Sequence, residues 1–352
     1  VISRVKKSVM TAFKSPFLVQ KQFNTLINRN NTNRNALILQ YHSVRPLNDT
    51  ATADPGKNIT VTPHVFEKQI IFLKKYYNIV SLNTLIQYIE GNYKSDKIPV
   101  ALTFDDGYHD NYLYAYPVLK RYNVPAMIYL TTDCIDNKTF FWPLELKYFV
   151  LNYSTDLLKI EHLEKEYLLG NFRSRMLVYG EIKKHLITLP RIERESIISE
   201  IKRHSGIQDM NPLKRTMLTW NEVRQMCRDG IDFGSHTLSH PSLPYVPREE
   251  AKQEILHSKE VIENQINEPV VHFSYPNPGD FDNVNTDIMQ LVKRADYASA
   301  TTSEKGYVTY GDNLLELKRK GIYYNLSTLT DFYFEIEKEL FLPSWMQHRM
   351  SA

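Results

Sequence analysis

A chain of 352 residues, 42% hydrophobic and 24% charged, has the composition of a folded globular protein, with enough material for one large domain or two small ones. Its net charge of +3 is too small to argue for a nucleic-acid partner, and no apolar run approaches the ~18 residues of a membrane span. The two cysteines, Cys134 and Cys227, lie far apart and lack metal-type spacing, so neither a disulfide nor a thiolate metal site is indicated.

Residues 1–35 form a basic N-terminal extension that ends in an Asn-rich polar run. Val5, Val9, Phe13 and Phe17 recur at four-residue intervals among Lys6, Lys7 and Lys14. That pattern fits a helix lying peripherally on an anionic membrane, with a helix packed on the protein's own surface as the favoured alternative. The extension lacks the apolar core of a signal peptide, which sets the expectation of a cytoplasmic location.

From Ala36 onward, short apolar runs alternate with helical patterns. Residues 36–44 read as a first buried strand ending at His42. A helix over 62–77 has Thr62 as its N-cap and Pro63 just inside. Residues 79–82 read as a short strand, 83–90 as a helix closed by Gly91, 99–104 as a buried strand, 111–122 as a helix and 126–130 as a strand. The alternation breaks from 140 to 212, a charged stretch with helical spacing, as at Ile192, Ile197, Ile198 and Ile201, and no strand signal. It reads as a helical insertion leaving the C-terminal end of a strand, on the active-site face of a parallel barrel or as decoration of its outer wall. Beyond it, Thr219 and Glu222 predict a capping box, and 247–265 an amphipathic helix. Strands are expected at 231–236, 270–275, 297–301 and 315–319. The α/β alternation argues for a parallel sheet or barrel. Residues 331–352 are set apart as a C-terminal extension.

Two stretches carry chemistry. The 99–104 strand runs into Asp105-Asp106-Gly107, and adjacent carboxylates at a strand end repel unless a metal or a division of roles relieves them. Asp-Gly also serves as ordinary turn chemistry. Downstream, the 231–236 strand ends in His236-Thr237-Leu238-Ser239-His240. Two His four residues apart share a face if the segment coils by one turn, and with a carboxylate they make a metal set with open positions.

Thr103-Phe104-Asp105-Asp106-Gly107 and His236-Thr237-Leu238-Ser239-His240 together resemble, in type, order and spacing, the first two signature motifs of the NodB-type polysaccharide deacetylases, carbohydrate esterase family 4. The resemblance runs from roughly Leu37 to Ile322, broken in the middle. It implies a distorted (β/α)7 TIM-like barrel over 36–330, interrupted by the 140–212 insertion. It implies that Asp106, His236 and His240 bind one divalent metal, with zinc first and Fe, Co, Ni or Mn also suited. Asp105 is then the general base, and the substrate an N-acetylated sugar in a glycan or glycan precursor, as in surface-polysaccharide biosynthesis. The rival readings are a hydrolase of a non-sugar amide and a catalytically weak carbohydrate-binding member of the family.

The chain departs from the pattern twice. Phe273-Ser274-Tyr275-Pro276-Asn277-Pro278-Gly279 stands where the third motif belongs, without its Arg. Resemblance places Tyr275 and the backbone near Asn277 toward substrate and oxyanion. The family's late catalytic His is also missing, so His42, at the end of the first strand, is the candidate general acid, with a buried structural His as the competing reading. Arg319, at the end of the last strand, is the candidate to orient Asp105 in place of the missing Arg.

Overall fold

The computed structural model describes residues 35–49, 52–276, 284–323 and, near the C-terminus, 329, 331–333 and 335–336. The Val5–Phe17 repeat and Asn277 lie outside the described residues. Seven parallel strands form the barrel: β1 (Leu37–Tyr41), β2 (Pro99–Phe104), β3 (Met127–Leu130), β4 (Asp232–Ser235), β5 (His272–Ser274), β6 (Ser299–Lys305) and β7 (Leu317–Gly321). Each pairs with the next, and β1 pairs with both β2 and β7, which closes the ring. The pair Asn78–Ile79 adds only a short edge below β3, on β2. The strand expected at 79–82 shrinks because Ser81 instead caps a helix, accepting from Thr84 N at 3.2 Å.

Side-chain alternation sorts the strands into two layers. Leu37, Leu39 and Tyr41 of β1, and Val100, Leu102 and Phe104 of β2, face outward into one apolar layer. That layer is covered by α1 (Pro63–Tyr76), α3 (Tyr116–Tyr122), α7 (Trp220–Arg228), α8 (Arg248–Ile266) and α9 (Thr286–Arg294). Ile38, Ala101, Met127, Tyr129 and Leu317 face inward and are closed below by Leu82, Leu85 and Ile89 of α2 (Leu82–Glu90). Gly234 leaves room for this interior, since a Cβ there would lie 2.6 Å from the Tyr129 ring and 2.8 Å from His272 O. The upper interior is polar, with Gln40, Thr103, Ser274 and Arg319 all buried.

Helix starts follow the sequence with small changes. The capping box is present: Glu222 N donates to Thr219 Oγ1 at 3.3 Å and Thr219 N to Glu222 Oε2 at 2.8 Å. Thr62 occupies its N-cap position but makes no side-chain cap bond. The helix expected over 111–122 begins as a π-helical turn, Asn111–Ala115, before α3. Both cysteines are free thiols.

The insertion has its own apolar core, built by α4 (Trp142–Asn152), α5 (Phe172–Leu186) and α6 (Arg191–His204). It is not helical throughout. Leu157–Ile160 and Lys165–Leu168 pair as an antiparallel hairpin, too short for a periodic signal, with Leu158, Ile160 and Tyr167 turned into the core. Ile197, Ile198 and Ile201 are buried as expected, whereas Ile192 is 81% exposed. Near the C-terminus, Phe332, Tyr333 and Ile336 are buried on the barrel, Phe332 packing edge-on against Phe72. No helix among the described residues is long and apolar enough to cross a membrane.

Candidate active site

Asp105 and Asp106 leave β2 in succession and part at once, because Asp106 and Gly107 both adopt positive φ, 76° and 84°. A Cβ on Gly107 would lie 2.9 Å from Leu130 Cδ2, so close approach as well as φ favours glycine here. The two carboxylates then meet different partners.

Asp106 meets the His pair. Its Oδ1 lies 3.4 Å from both His236 Nε2 and His240 Nε2. The three side chains are buried, and one ligand atom from each falls within 4.8 Å of the others. The His segment does not coil by a helical turn, as its spacing had suggested. Thr237 and His240 take positive φ, 69° and 61°, and this left-handed turn brings the rings together at 4.9 Å between centroids. Positive φ is uncommon for a β-branched residue, and local bonds hold it. Thr237 Oγ1 accepts from His240 N at 3.0 Å and donates to His236 O at 2.5 Å. Glu254, from α8, accepts from Leu238 N (2.8 Å), Ser239 N (2.9 Å) and Ser239 Oγ (2.6 Å). Trp142 Nε1 donates to His240 O at 3.1 Å, tying α4 to the same loop.

This donor set fits a divalent metal. His236 Nδ1 faces Ser274 O at 2.7 Å, and a carbonyl only accepts, so that nitrogen carries the hydrogen and the Nε2 lone pair faces Asp106. Burial pulls His240 down to about 4, leaving it neutral and able to donate a lone pair at neutral pH. Burial pushes Asp106 up, but the His236 and His240 rings, which donate to it when protonated, hold it well below the usual carboxylate range. Two imidazole nitrogens and one carboxylate oxygen suit zinc and other first-row divalent ions.

Asp105 meets Arg319. The guanidinium donates from Nη1 to Oδ1 and from Nη2 to Oδ2, both at 2.7 Å, in a bidentate fork. Arg319 lies in the middle of β7, not at its end, because the strand starts two residues later than the sequence suggested. That register sends it into the barrel, fully buried, where it also donates to Thr302 O (2.7 Å), Ser274 Oγ (3.0 Å) and Thr103 Oγ1 (3.2 Å). Gln40 Nε2 adds a bond to Asp105 Oδ2 at 2.7 Å. Burial raises the Asp105 pKa, but Arg319, together with His236 and His42, outweighs it and leaves the group at about 2. Sequence reasoning passed over Gln40, although a lone polar residue inside Leu37-Ile38-Leu39-Gln40-Tyr41 was the available signal.

His42 stands just past β1, with Nε2 4.0 Å from Asp105 Oδ2, too far for a hydrogen bond. Burial lowers its pKa, with Asp106 and Asp105 opposing. Tyr275 is buried, and its hydroxyl donates to Leu315 O at 3.0 Å. Gln40, His42, Asp105, Asp106, His236, His240 and Tyr275 line one cavity of about 610 Å3. Phe141, Pro143, Leu144, Tyr179, Lys183 and Ile187 of the 140–212 segment wall it, so this part of the insertion stands on the side of the Asp–His–His set.

A family model described as polysaccharide deacetylase matches residues 92–300. The chain is 29% identical over 218 residues to the poly-beta-1,6-N-acetyl-D-glucosamine N-deacetylase of Staphylococcus epidermidis, covering 56% of this chain and 71% of that protein. Among solved structures, it is similar to the Streptococcus pyogenes deacetylase PplD in complex with acetate, with TM-score 0.55 and 20% identity, covering 83% of this chain and 94% of that one. It is also similar to IcaB from Ammonifex degensii, with TM-score 0.53 and 13% identity, covering 86% and 97%. At those identities the structural likeness speaks for the fold.

Proposed function

The chain belongs to the polysaccharide deacetylase family, and on that premise we propose that it is a metal-dependent hydrolase that removes an N-acetyl group from an amino sugar in a glycan or glycan precursor of a surface polysaccharide. The observation that carries this reading is the convergence of the Asp106–His236–His240 set and the Asp105–Arg319 pair on one cavity. A divalent ion held by Asp106, His236 and His240, zinc first, would lower the pKa of water and polarise an acetyl carbonyl there.

The chain's own residues supply the rest. Asp105 is fully ionised at neutral pH and fixed by Arg319 and Gln40, and it takes the proton of the attacking water. His42 starts neutral, accepts that proton and delivers it to the departing sugar nitrogen, which is too basic to leave as an anion. Tyr275 shapes the wall beside the substrate. On this reading the catalytic unit runs from 36 through at least 336, with 140–212 as an insertion that restricts entry. Purified protein supplied with zinc or cobalt should release acetate and expose free amines on N-acetylglucosamine oligomers. Metal-loaded protein that releases acetate from none of them, while hydrolysing other amides, would overturn the sugar assignment.

A further inference from the structure

The cavity has a charged wall for which the reaction above has no use. Lys183 lies on α5 between Tyr179 and Ile187, one turn away on either side, and all three line the cavity. Among the described residues its ammonium makes no hydrogen bond and no ion pair. The two carboxylates that line the cavity with it are already committed. Asp105 is neutralised by Arg319, and Asp106 belongs to the metal set. The neighbouring Lys147 is tied to Asp54, donating to its backbone O at 2.8 Å and to Oδ2 at 3.3 Å. Once a divalent ion sits on Asp106, the ion and Lys183 bring three positive charges to the cavity, offset by Asp106 alone because Asp105 is balanced by Arg319. An N-acetyl sugar is neutral and calls for no such field, whereas an anion is drawn into it and fixed by a charge-assisted bond.

We propose that Lys183 is a specificity-determining residue that binds an anionic group carried by the substrate beside its N-acetyl sugar, so that the preferred substrate is an acidic glycan. The inference rests on the deacetylase reading. A carboxylate of a neighbouring uronic acid and a phosphate ester on the glycan offer the same chemistry to an ammonium.

The test compares three N-acetylglucosamine oligosaccharides of equal length: neutral, uronate-containing and phosphate-bearing. The wild-type protein should show its highest kcat/KM on one of the two acidic substrates, and which one identifies the source of the anion. Lys183→Met should lose about tenfold on that substrate and stay within about twofold on the neutral one, the size expected for a hydrogen bond to a charged group. Lys183→Arg should retain the preference and Lys183→Glu should invert it. Calorimetric titration of the acidic oligosaccharide into the full chain stripped of metal, where no turnover intervenes, should show the same loss of affinity in Lys183→Met. Equal losses on neutral and acidic substrates, or none on either, would overturn the role of Lys183 and leave deacetylation standing. If wild type turns over none of the three, the deacetylase reading falls, and the calorimetric difference still decides whether Lys183 binds an anion.

Discussion

Arg319→Met removes the charge at the centre of the site while keeping an apolar stem of similar reach. In the wild type the guanidinium is fully buried and divides its bonds among Asp105, Thr302, Thr103 and Ser274. Without it, Asp105 is a buried carboxylate with Gln40 and Ser274 as its side-chain donors among the described residues. Breaking a buried pair by removing one partner costs about 3–5 kcal/mol. The proton linkage of Asp105 gives a second figure. Its pKa of about 2, against an ordinary 3.8, corresponds to roughly 2–3 kcal/mol of stabilisation. That stabilisation is complete above pH 3.8 and is lost as pH falls through about 2. In the variant the sign reverses, because burial without Arg319 raises the Asp105 pKa, so the penalty grows as pH rises from about 4. Urea unfolding at pH 7 should therefore show a loss of about 3–5 kcal/mol, shrinking toward pH 4. Adding Asp105→Leu to the variant should cost less than the sum of the single changes. A loss below about 1 kcal/mol at pH 7, or one independent of pH, would refute the view that this pair is a tightly coupled buried unit.

Four further outcomes follow from the same geometry. His236→Ala should lose bound metal by elemental analysis, and unchanged content would remove it from the ligand set. Glu254→Gln weakens the brace under the His loop, so chelator competition should show about 10–100-fold lower metal affinity, and unaltered affinity would show the loop holds itself. Asp105→Asn should keep its metal but lose kcat by about 10²-fold or more, whereas activity within a few-fold of wild type would identify another base. His42→Ala should lose more turnover on an amide than on a matched ester, whose leaving alkoxide is less basic, and equal losses would sink its role as the acid.

Much of this protein could be read along the chain because the signals are local. The capping box at Thr219 and Glu222 lies within one helical turn, and the apolar runs of β1 and β2 are buried on both layers of the barrel. The acid pair and the two His are each contained in five residues, which is why the motifs and the candidate metal ligands are legible in the chain itself. The hairpin at Leu157–Ile160 and Lys165–Leu168 escaped because four-residue strands with charged outer faces look like fragments of the surrounding helices.

What the sequence determined by itself was the alternation that makes a barrel and the side-chain types that gather at its strand ends, since both depend on neighbours a few residues away. Only tertiary structure decided how those side chains meet. A two-residue shift in β7 turned Arg319 from a rim residue into the buried partner of Asp105, 214 positions earlier in the chain. Closure of the ring brought Gln40 to the same carboxylate, and a left-handed turn rather than a helical one paired His236 with His240. Lys183 gave no sign along the chain, being one more lysine on a charged helix, until the insertion's own core packed α5 over the cavity. Register, closure and docking are set by packing between segments distant in sequence, and no local pattern encodes them.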